Sequence, residues 1–518
     1  MTDVVAETVY GKVQGETIDS IHWFRGIPYG APTGGQNRFK PPTPPKPWAG
    51  VREATRYGMS CWQPSEGRVR AGVMGNYGID SMGEDCLVLN VWTPGLNDQR
   101  KRPVMVWLHG GGFITGSADC LNSYEGQALA KAYNVVVVSV NHRLGVFGHL
   151  HLAAVGGEEY ADSGNAGALD LVAALEWVRD NIATFGGDPG NVMIYGESGG
   201  GGKVCTLLAM PKAKGLFHKA AIQSGANLHL RPLAEAVKAT EGFLELAGVR
   251  PDRLHELQEM RSDVLNNAWI MLNRGGNTPG GDQSCPVVDG KTIPAHPFDP
   301  VAPPTAANVP VIVGTNKDET TLFLATDNLT GRTIEYDEEK MRQTIVARMG
   351  DWWVNKKVAV ERVDDLIATY RRTRPEATPA ELTIAITTDQ WRVASIRLAE
   401  RQAAGGTAPV YMYLFTWESK AAYGRLKSAH GFEIPFVFNH ADLPIRLFRD
   451  APERFRLAAE MSGAWAAFAR SGNPDHAGIP HWPAYDAKDR ATMIFGKETH
   501  IENDPASEEW KAWEGIVW

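Results

Sequence analysis

Short apolar runs separated by longer polar stretches constrain the fold of this chain more than any other feature. Six such runs occur in the 518 residues, at 104–108, 135–140, 192–195, 220–222, 311–313 and 410–413. Their apolar residues are continuous rather than alternating, which is typical of strands covered by helices on both faces. The pattern therefore predicts an α/β fold with a large, mostly parallel sheet.

A helix is predicted between the second and third runs. An apolar stripe with helical spacing is formed by Leu171, Leu175, Val178 and Ile182. Strand, helix and strand in this order predict a right-handed parallel crossover. Two further segments, about 231–290 and about 327–405, are predicted to be mainly helical. We expect one catalytic domain over residues 1–518, with these segments as cap insertions.

The charge balance excludes one large class of partners. There are 52 basic and 60 acidic residues, a formal net charge of -8. Binding a polyanion requires a basic face, so nucleic acid is not an expected partner. No apolar stretch approaches the roughly 20 residues that span a bilayer, so no membrane partner is expected either.

The third apolar run leads directly into a candidate nucleophile. Gly196-Glu197-Ser198-Gly199-Gly200 matches G-x-S-x-G at a sharp strand-to-helix turn. Small residues two positions before and after the serine permit a strained backbone that exposes its hydroxyl. A glycine-rich connecting turn is the plain alternative. A phosphate-binding loop is excluded, because position 197 is not glycine and position 204 is valine.

A second glycine-rich segment follows the first run. His109-Gly110-Gly111-Gly112-Phe113 lets the main chain approach a reacting carbonyl oxygen closely. An HGGG segment upstream of G-x-S-x-G is typical of the α/β-hydrolase fold. We predict that the amides of Gly111, Gly112 and Gly199 form an oxyanion hole.

The acid and the base of a serine mechanism follow the nucleophile in this fold. Asp318 and Glu319 both lie just after the fifth run, and spacing alone does not choose between them. His430 lies in a loop beyond the sixth run, which is the expected position of the base. His440 and His481 lack that placement.

Several longer segments resemble the type-B carboxylesterase and cholinesterase family along nearly the whole chain. They are Phe24-Arg25-Gly26-Ile27-Pro28-Tyr29, Glu84-Asp85-Cys86-Leu87-Val88-Leu89-Asn90, Phe185-Gly186-Gly187-Asp188-Pro189 and Gln223-Ser224-Gly225.

This resemblance implies roles for individual residues. It implies that Ser198 is the nucleophile, Glu319 the acid and His430 the base. It also implies that Ser224 supports the acid and that Glu197 tunes the charge of the site. A disulfide between Cys61 and Cys86, which would favour an oxidising compartment, is implied as well.

Three positions depart from the family pattern. Gly199 stands where alanine is usual after the nucleophile, and Leu171 where glutamine is usual. Asn76 stands where cholinesterases have tryptophan, which argues against choline esters as substrates.

The expected function is hydrolysis of small carboxylic esters through an acyl-enzyme intermediate. Cleavage of amides or carbamates by the same triad is the nearest alternative, and a non-catalytic adhesion module is a remote one. Activity should fall as His430 becomes protonated, around the usual pKa of roughly 6.5. No cofactor is required, and no cysteine or histidine cluster has metal-binding spacing.

The N-terminal residues lack the basic and apolar regions of a signal peptide. We therefore expect a cytoplasmic protein, or a periplasmic or secreted one if a leader has been removed. The sequence carries no indication of the oligomeric state.

Overall fold

A large sheet organises the computed structural model of this protein, which describes residues 2–64, 73–74, 78–79, 81–274, 285–325, 333–349 and 356–517. Asn76, one of the departures from the family pattern, lies outside these residues. The strands are β1 (Thr2–Thr8), β2 (Gly11–Ile18), β3 (Ile21–Pro28), β4 (Val51–Glu53), β5 (Val88–Thr93), β6 (Arg102–Leu108), β7 (Val136–Val140), β8 (Gly187–Glu197), β9 (Lys219–Gln223), β10 (Arg231–Pro232), β11 (Val287–Val288), β12 (Val311–Asn316), β13 (Val410–Phe415), β14 (Ala491–Phe495) and β15 (His500–Asn503).

The sheet order is β1-β2-β3-β5-β7-β6-β8-β9-β12-β13-β14-β15, with β4 beside β2 and a separate β10-β11 pair. Pairing is parallel from β7 to β14 and antiparallel at both ends. The six apolar runs form six neighbouring strands of the parallel part, so the predicted α/β architecture is confirmed.

Helices cover both faces of the sheet. They are α1 (Gln127–Tyr133), α2 (Gly145–His149), α3 (Ala153–Gly156), α4 (Ala166–Asn181), α5 (Gly199–Ala209), α6 (Leu233–Ala247), α7 (Glu256–Glu259), α8 (Ser262–Arg274), α9 (Thr321–Leu324), α10 (Glu338–Arg348), α11 (Lys356–Glu361), α12 (Val363–Thr373), α13 (Pro379–Gly405), α14 (Ile434–Val437), α15 (Arg454–Ser471) and α16 (Ser507–Lys511).

Alternate side chains of each central strand enter two different cores. In β6, Val104 and Val106 pack into the core that also holds α4 and α5 residues. Met105 and Trp107 of the same strand pack into the opposite core with residues of α15. Both faces are therefore buried, which explains why the strand sequences are continuously apolar.

The described parts of the two cap segments are mainly helical. Helices α6, α7 and α8 fall in the first, and α10 to α13 fall in the second. Within the described ranges, no helix combines the length and the apolar character needed to cross a bilayer.

The topology brings four chain segments to one edge of the sheet. Strands β8, β9, β12 and β13 are parallel neighbours, so their carboxyl ends share an edge. Ser198 follows β8, Ser224 follows β9, Glu319 follows β12, and the loop with His430 follows β13. Active sites of open α/β sheets gather at this edge.

Candidate active site

Ser198 lies in a strained turn between β8 and α5. Its φ of 58° and ψ of -124° lie in a region that side chains rarely adopt. A Cβ at Gly196 would lie 2.5 Å, and one at Gly200 2.0 Å, from the carbonyl oxygen of Leu108. The two glycines therefore let the turn pack directly on β6, as the motif predicts.

Glu319 is fully buried and held by three donors. Its Oε1 accepts hydrogen bonds from the Ser224 hydroxyl (2.6 Å) and from the Asn316 amide (2.7 Å). Its Oε2 lies 2.6 Å from Nδ1 of His430. Because a carboxylate held in this way keeps its orientation, the Nδ1–H of His430 is also fixed. The Asp318 carboxylate instead accepts from the Ser428 amide, at 3.4 Å.

The Nε2 of His430 faces Glu197. It lies 3.1 Å from Oε1 of that carboxylate, and both side chains are almost fully buried. Within the described part of the chain, the Ser198 hydroxyl makes no hydrogen bond with the imidazole. Hydrogen bonds of catalytic groups are often long in free enzymes and tighten when substrate binds. A hydrogen bond between these two groups would therefore require a turn of the serine side chain or of the ring.

Aromatic rings cover the imidazole of His430. The centroid of the Trp391 ring lies 4.6 Å from that of the imidazole, nearly edge to face, and the Phe323 ring lies at 5.5 Å. Burial opposes the charged imidazole, but the charges of Glu197 and Glu319 outweigh it and raise the pKa of His430. Burial in turn raises the pKa of Glu197.

A third buried carboxylate stands behind the pair of Glu319 and His430. Glu433 accepts hydrogen bonds from the side-chain amides of Asn316 (2.7 Å) and Gln223 (3.1 Å). Burial and the charge of Glu319 raise its pKa to about 7. Sequence reasoning missed this residue, although an acidic residue between Phe432 and Ile434 was a signal of a buried polar contact.

The predicted oxyanion loop lies against the start of α5. A Cβ at Gly199 would lie 2.4 Å from the amide nitrogen of Gly112, so the two main chains are in contact. Gly111 and Gly112 have positive φ values of 86° and 66°. Among the described residues, no protein acceptor is bonded to the amides of Gly111, Gly112 or Gly199. These three N–H groups are therefore free to receive a ligand oxygen.

The competing histidines are engaged elsewhere. The Nε2 of His440 donates to the main-chain oxygen of Glu125 at 2.7 Å. His481 is exposed and pairs with Asp475 at 2.7 Å. Neither contacts Ser198 or Glu319.

The structure differs from the resemblance at Cys61 and Cys86. Both are buried free thiols, so the implied disulfide is not formed in this structure. The Cys61 sulfur accepts a hydrogen bond from the Leu144 amide at 3.2 Å. A hydrogen bond with Cys61, together with burial, raises the pKa of the Cys86 thiol. Formation of a disulfide requires a thiolate, and this environment disfavours one.

No group of three or more histidine, cysteine or acidic side chains in the described ranges is arranged to hold a metal ion. What the site presents is a strained serine, an imidazole oriented by a buried carboxylate, and three free amides. This set can carry out nucleophilic attack on a carbonyl carbon with stabilisation of the resulting oxyanion.

Comparison with known proteins agrees with this chemistry. The model of the carboxylesterase family matches residues 2–513. The para-nitrobenzyl esterase of Bacillus subtilis (strain 168) is 38% identical over 515 residues, which are 98% of each chain. Carboxylesterase 1E of Rattus norvegicus is 35% identical over 521 residues, covering 95% of this chain and 90% of that protein.

Solved structures agree as well. A crystal structure of the Geobacillus stearothermophilus carboxylesterase EST55 is similar with a TM-score of 0.82 and 37% identity, covering 98% of this chain and 99% of the other. A thermophilic pNB esterase gives a TM-score of 0.83 with 34% identity, covering 99% and 100% of the two chains.

Proposed function

The chain belongs to the carboxylesterase family and is a serine hydrolase of carboxylic esters, and we propose that Ser198, Glu319 and His430 are its nucleophile, acid and base. The observation that carries the proposal is the buried contact of 2.6 Å between Glu319 and His430 at the sheet edge where Ser198 lies. A carboxylate at Nδ1 favours the tautomer of the neutral imidazole in which Nε2 can accept the serine proton.

The proposed reaction begins with attack of Ser198 on the ester carbonyl. His430 accepts the serine proton, and the carbonyl oxygen becomes an oxyanion. This oxyanion accepts hydrogen bonds from the amides of Gly111, Gly112 and Gly199. The tetrahedral intermediate then collapses and the alcohol leaves with the proton from His430. Water repeats the sequence on the acyl-enzyme and releases the carboxylic acid. Glu319 stabilises the imidazolium that forms in each half.

Glu197 is proposed to act through charge. Its carboxylate lies 3.1 Å from Nε2 of His430 and favours the protonated imidazole, which is the form present in both tetrahedral intermediates. Ser224 and Asn316 hold the Glu319 carboxylate through the hydrogen bonds described above. They are proposed as positioning residues.

We propose that the preferred esters carry an aromatic group on their alcohol side. The leaving alcohol accepts its proton beside the His430 ring, and Trp391 and Phe323 lie against that ring. Aromatic rings prefer such edge-to-face contacts. The similar Bacillus subtilis protein is named a para-nitrobenzyl esterase. Trp391→Ala is expected to raise KM for a para-nitrobenzyl ester more than KM for the ethyl ester of the same acid.

We propose one catalytic unit over residues 1–518, with caps at about 231–290 and 327–405. Helix α13 of the second cap supplies Trp391 to the site, and its Thr387 hydroxyl lies 2.8 Å from that of Thr320. We also propose a reducing, cytoplasmic setting, because Cys61 and Cys86, the pair implied as a disulfide, are both buried free thiols. Thiol titration of the protein, unfolded after purification without reductant, should then find both of these cysteines reactive.

The proposed function is tested with Ser198→Ala. The parent protein is expected to react with a fluorophosphonate probe and to hydrolyse para-nitrobenzyl acetate, whereas the variant should do neither. Ser471→Ala, at an exposed helix end, is the matched control and should behave as the parent does. Labelling of Ser198→Ala at the parental rate would refute the assignment. Hydrolysis of the matching acetamide faster than the ester would favour an amidase instead.

A further inference from the structure

Lys203 is a buried lysine on α5, close behind the nucleophile. Its side chain has no solvent exposure. Its Nζ donates a hydrogen bond to the main-chain oxygen of His109 at 2.7 Å. Among the ion pairs of the described residues, none includes this ammonium. Lys203 therefore holds the first residue of the oxyanion loop rather than a carboxylate.

Burial of this ammonium is unfavourable. Desolvation lowers the pKa of Lys203 to about 7, and the nearby Phe113 ring, 5.7 Å from Nζ, offsets only part of that cost. A methionine would fill the same space without this cost. A charged residue in such a position is a candidate for a role other than packing.

Three successive carbonyl groups of the oxyanion loop are each held by a donor. The His109 oxygen accepts from Lys203, and the Gly110 oxygen accepts from Nδ1 of His109 at 2.8 Å. The Gly111 oxygen accepts from the Thr115 amide at 3.0 Å. In a trans peptide the N–H points opposite to the carbonyl. Holding the Gly110 and Gly111 oxygens therefore aims the amides of Gly111 and Gly112 away from them. The bond from Lys203 to the His109 oxygen fixes the peptide that comes directly before these two.

We propose that Lys203 is a positioning residue for the oxyanion hole, which ties α5 to the loop through the carbonyl oxygen of His109. One half of the hole, the Gly199 amide, begins α5, and the other half lies in the loop. The lysine sets the distance between them. This inference rests on the proposed function, because it assigns a role within that reaction.

The charge of Lys203 also acts on the histidines beneath the loop. Burial, reinforced by this charge, lowers the pKa of His109 and of His142, whose rings stack with centroids 5.0 Å apart. A neutral His109 must carry its proton on Nδ1, since a carbonyl oxygen can only accept.

The test compares Lys203→Met with the parent enzyme. We expect kcat to fall by about 10- to 100-fold, less than the roughly 100- to 1,000-fold cost of losing a direct donor. KM should stay within about twofold, because the ground-state carbonyl needs the hole less than the oxyanion does. Affinity for a trifluoromethyl ketone, which adds to the serine and forms an oxyanion, should fall in parallel with kcat. Affinity for the matching secondary alcohol should not change.

Thr206→Val is the matched control. Thr206 is buried on the same helix, and its hydroxyl donates to the Gly202 oxygen at 2.8 Å, within the helix. This variant should keep kcat and the ketone affinity within about twofold of the parent values. If it loses as much as Lys203→Met does, the effect is a general loosening of α5 and the proposal is overturned.

Active sites are counted with the fluorophosphonate probe, so that kcat refers to folded enzyme. If Lys203→Met does not fold, Lys203→Gln is measured against the same criteria. The glutamine side chain has no charge, and it is shorter than that of lysine. Unchanged kcat and ketone affinity in the folded variant would overturn this inference alone. Loss of the proposed function would instead be seen as probe labelling of Ser198→Ala.

Discussion

His430 is joined to Glu319 twice, once through side chains and once through the main chain. Nδ1 lies 2.6 Å from Oε2, and the amide of His430 donates to the main-chain oxygen of Glu319 at 3.2 Å. The loop that carries the base is therefore fixed to the turn that carries the acid. The imidazole has little freedom to tilt away from the carboxylate.

Glu319→Gln and Asp318→Asn should separate the two adjacent acids. Glu319→Gln removes the charge that stabilises the imidazolium and favours the wrong tautomer, so kcat should fall by about 10⁴-fold. Asp318→Asn should change kcat by less than about threefold, because that carboxylate faces the Ser428 amide. Steady-state kinetics on para-nitrobenzyl acetate decides between them. A larger loss in Asp318→Asn would assign the acid to position 318.

The pH dependence should reflect the charge of Glu197. His430 must be neutral to accept the serine proton, so kcat/KM should rise with pH through its pKa. Glu197 and Glu319 raise that pKa, and the midpoint should therefore lie above the usual value of roughly 6.5. Glu197→Gln removes one of the negative charges that raise this pKa and leaves those of Glu319 and Glu433. The pKa of His430 should then fall, and the midpoint should move to lower pH by about one unit or more.

Rate profiles between pH 5 and pH 10 measure this shift. Asp318→Asn is the control, because it removes a buried carboxylate that does not contact the imidazole. A midpoint that stays in place in Glu197→Gln, or moves upward, would show that Glu197 does not set the charge of His430.

The central sheet could be predicted because its signal is local. Each parallel strand is buried on both faces, and this leaves a continuous apolar run in the sequence. The antiparallel strands β1 to β3 have partly exposed side chains and no such run. They join the sheet through β3, which pairs with β5 far along the chain. That pairing is a tertiary relationship that spacing does not express.

The candidate site likewise contains some residues that local sequence motifs predict and others whose roles depend on tertiary contacts. Ser198 and the glycines of the loop lie in compact motifs whose steric requirements can be read from neighbouring residues. Spacing could not choose between Asp318 and Glu319, because the choice depends on the direction of each side chain after β12. That direction is set by donors such as Ser224 on another strand. The role proposed for Lys203 depends on a contact 94 residues away along the chain.

Gly199→Ala should disturb the oxyanion hole, although alanine is usual in the family at this position. A Cβ here would lie 2.2 Å from the oxygen and 2.4 Å from the nitrogen of Gly112, so the loop must move. We expect kcat to fall by about tenfold, with KM nearly unchanged, as for a weakened oxyanion contact. Gly405→Ala is the control, because its Cβ would make only an ordinary contact of 3.5 Å. Equal kcat in Gly199→Ala and the parent would show that the loop can move without loss of function.

Asp170→Asn should destabilise the fold more than any of the changes proposed above. Asp170 is fully buried on α4, where its carboxylate accepts from the Arg143 side chain at 2.6 and 2.8 Å and from the Arg143 amide at 3.0 Å. Asparagine has nearly the same shape but no charge, so the arginine would remain buried without a counterion. Breaking a buried pair in this way costs about 3 to 5 kcal/mol.

Asp252→Asn is the control, because the Arg250–Asp252 pair is exposed and such pairs contribute about 0 to 1 kcal/mol. Thermal unfolding followed by circular dichroism should show a clear drop in Tm for Asp170→Asn and almost none for Asp252→Asn. Equal Tm values for the two variants would mean that the buried pair adds nothing to stability.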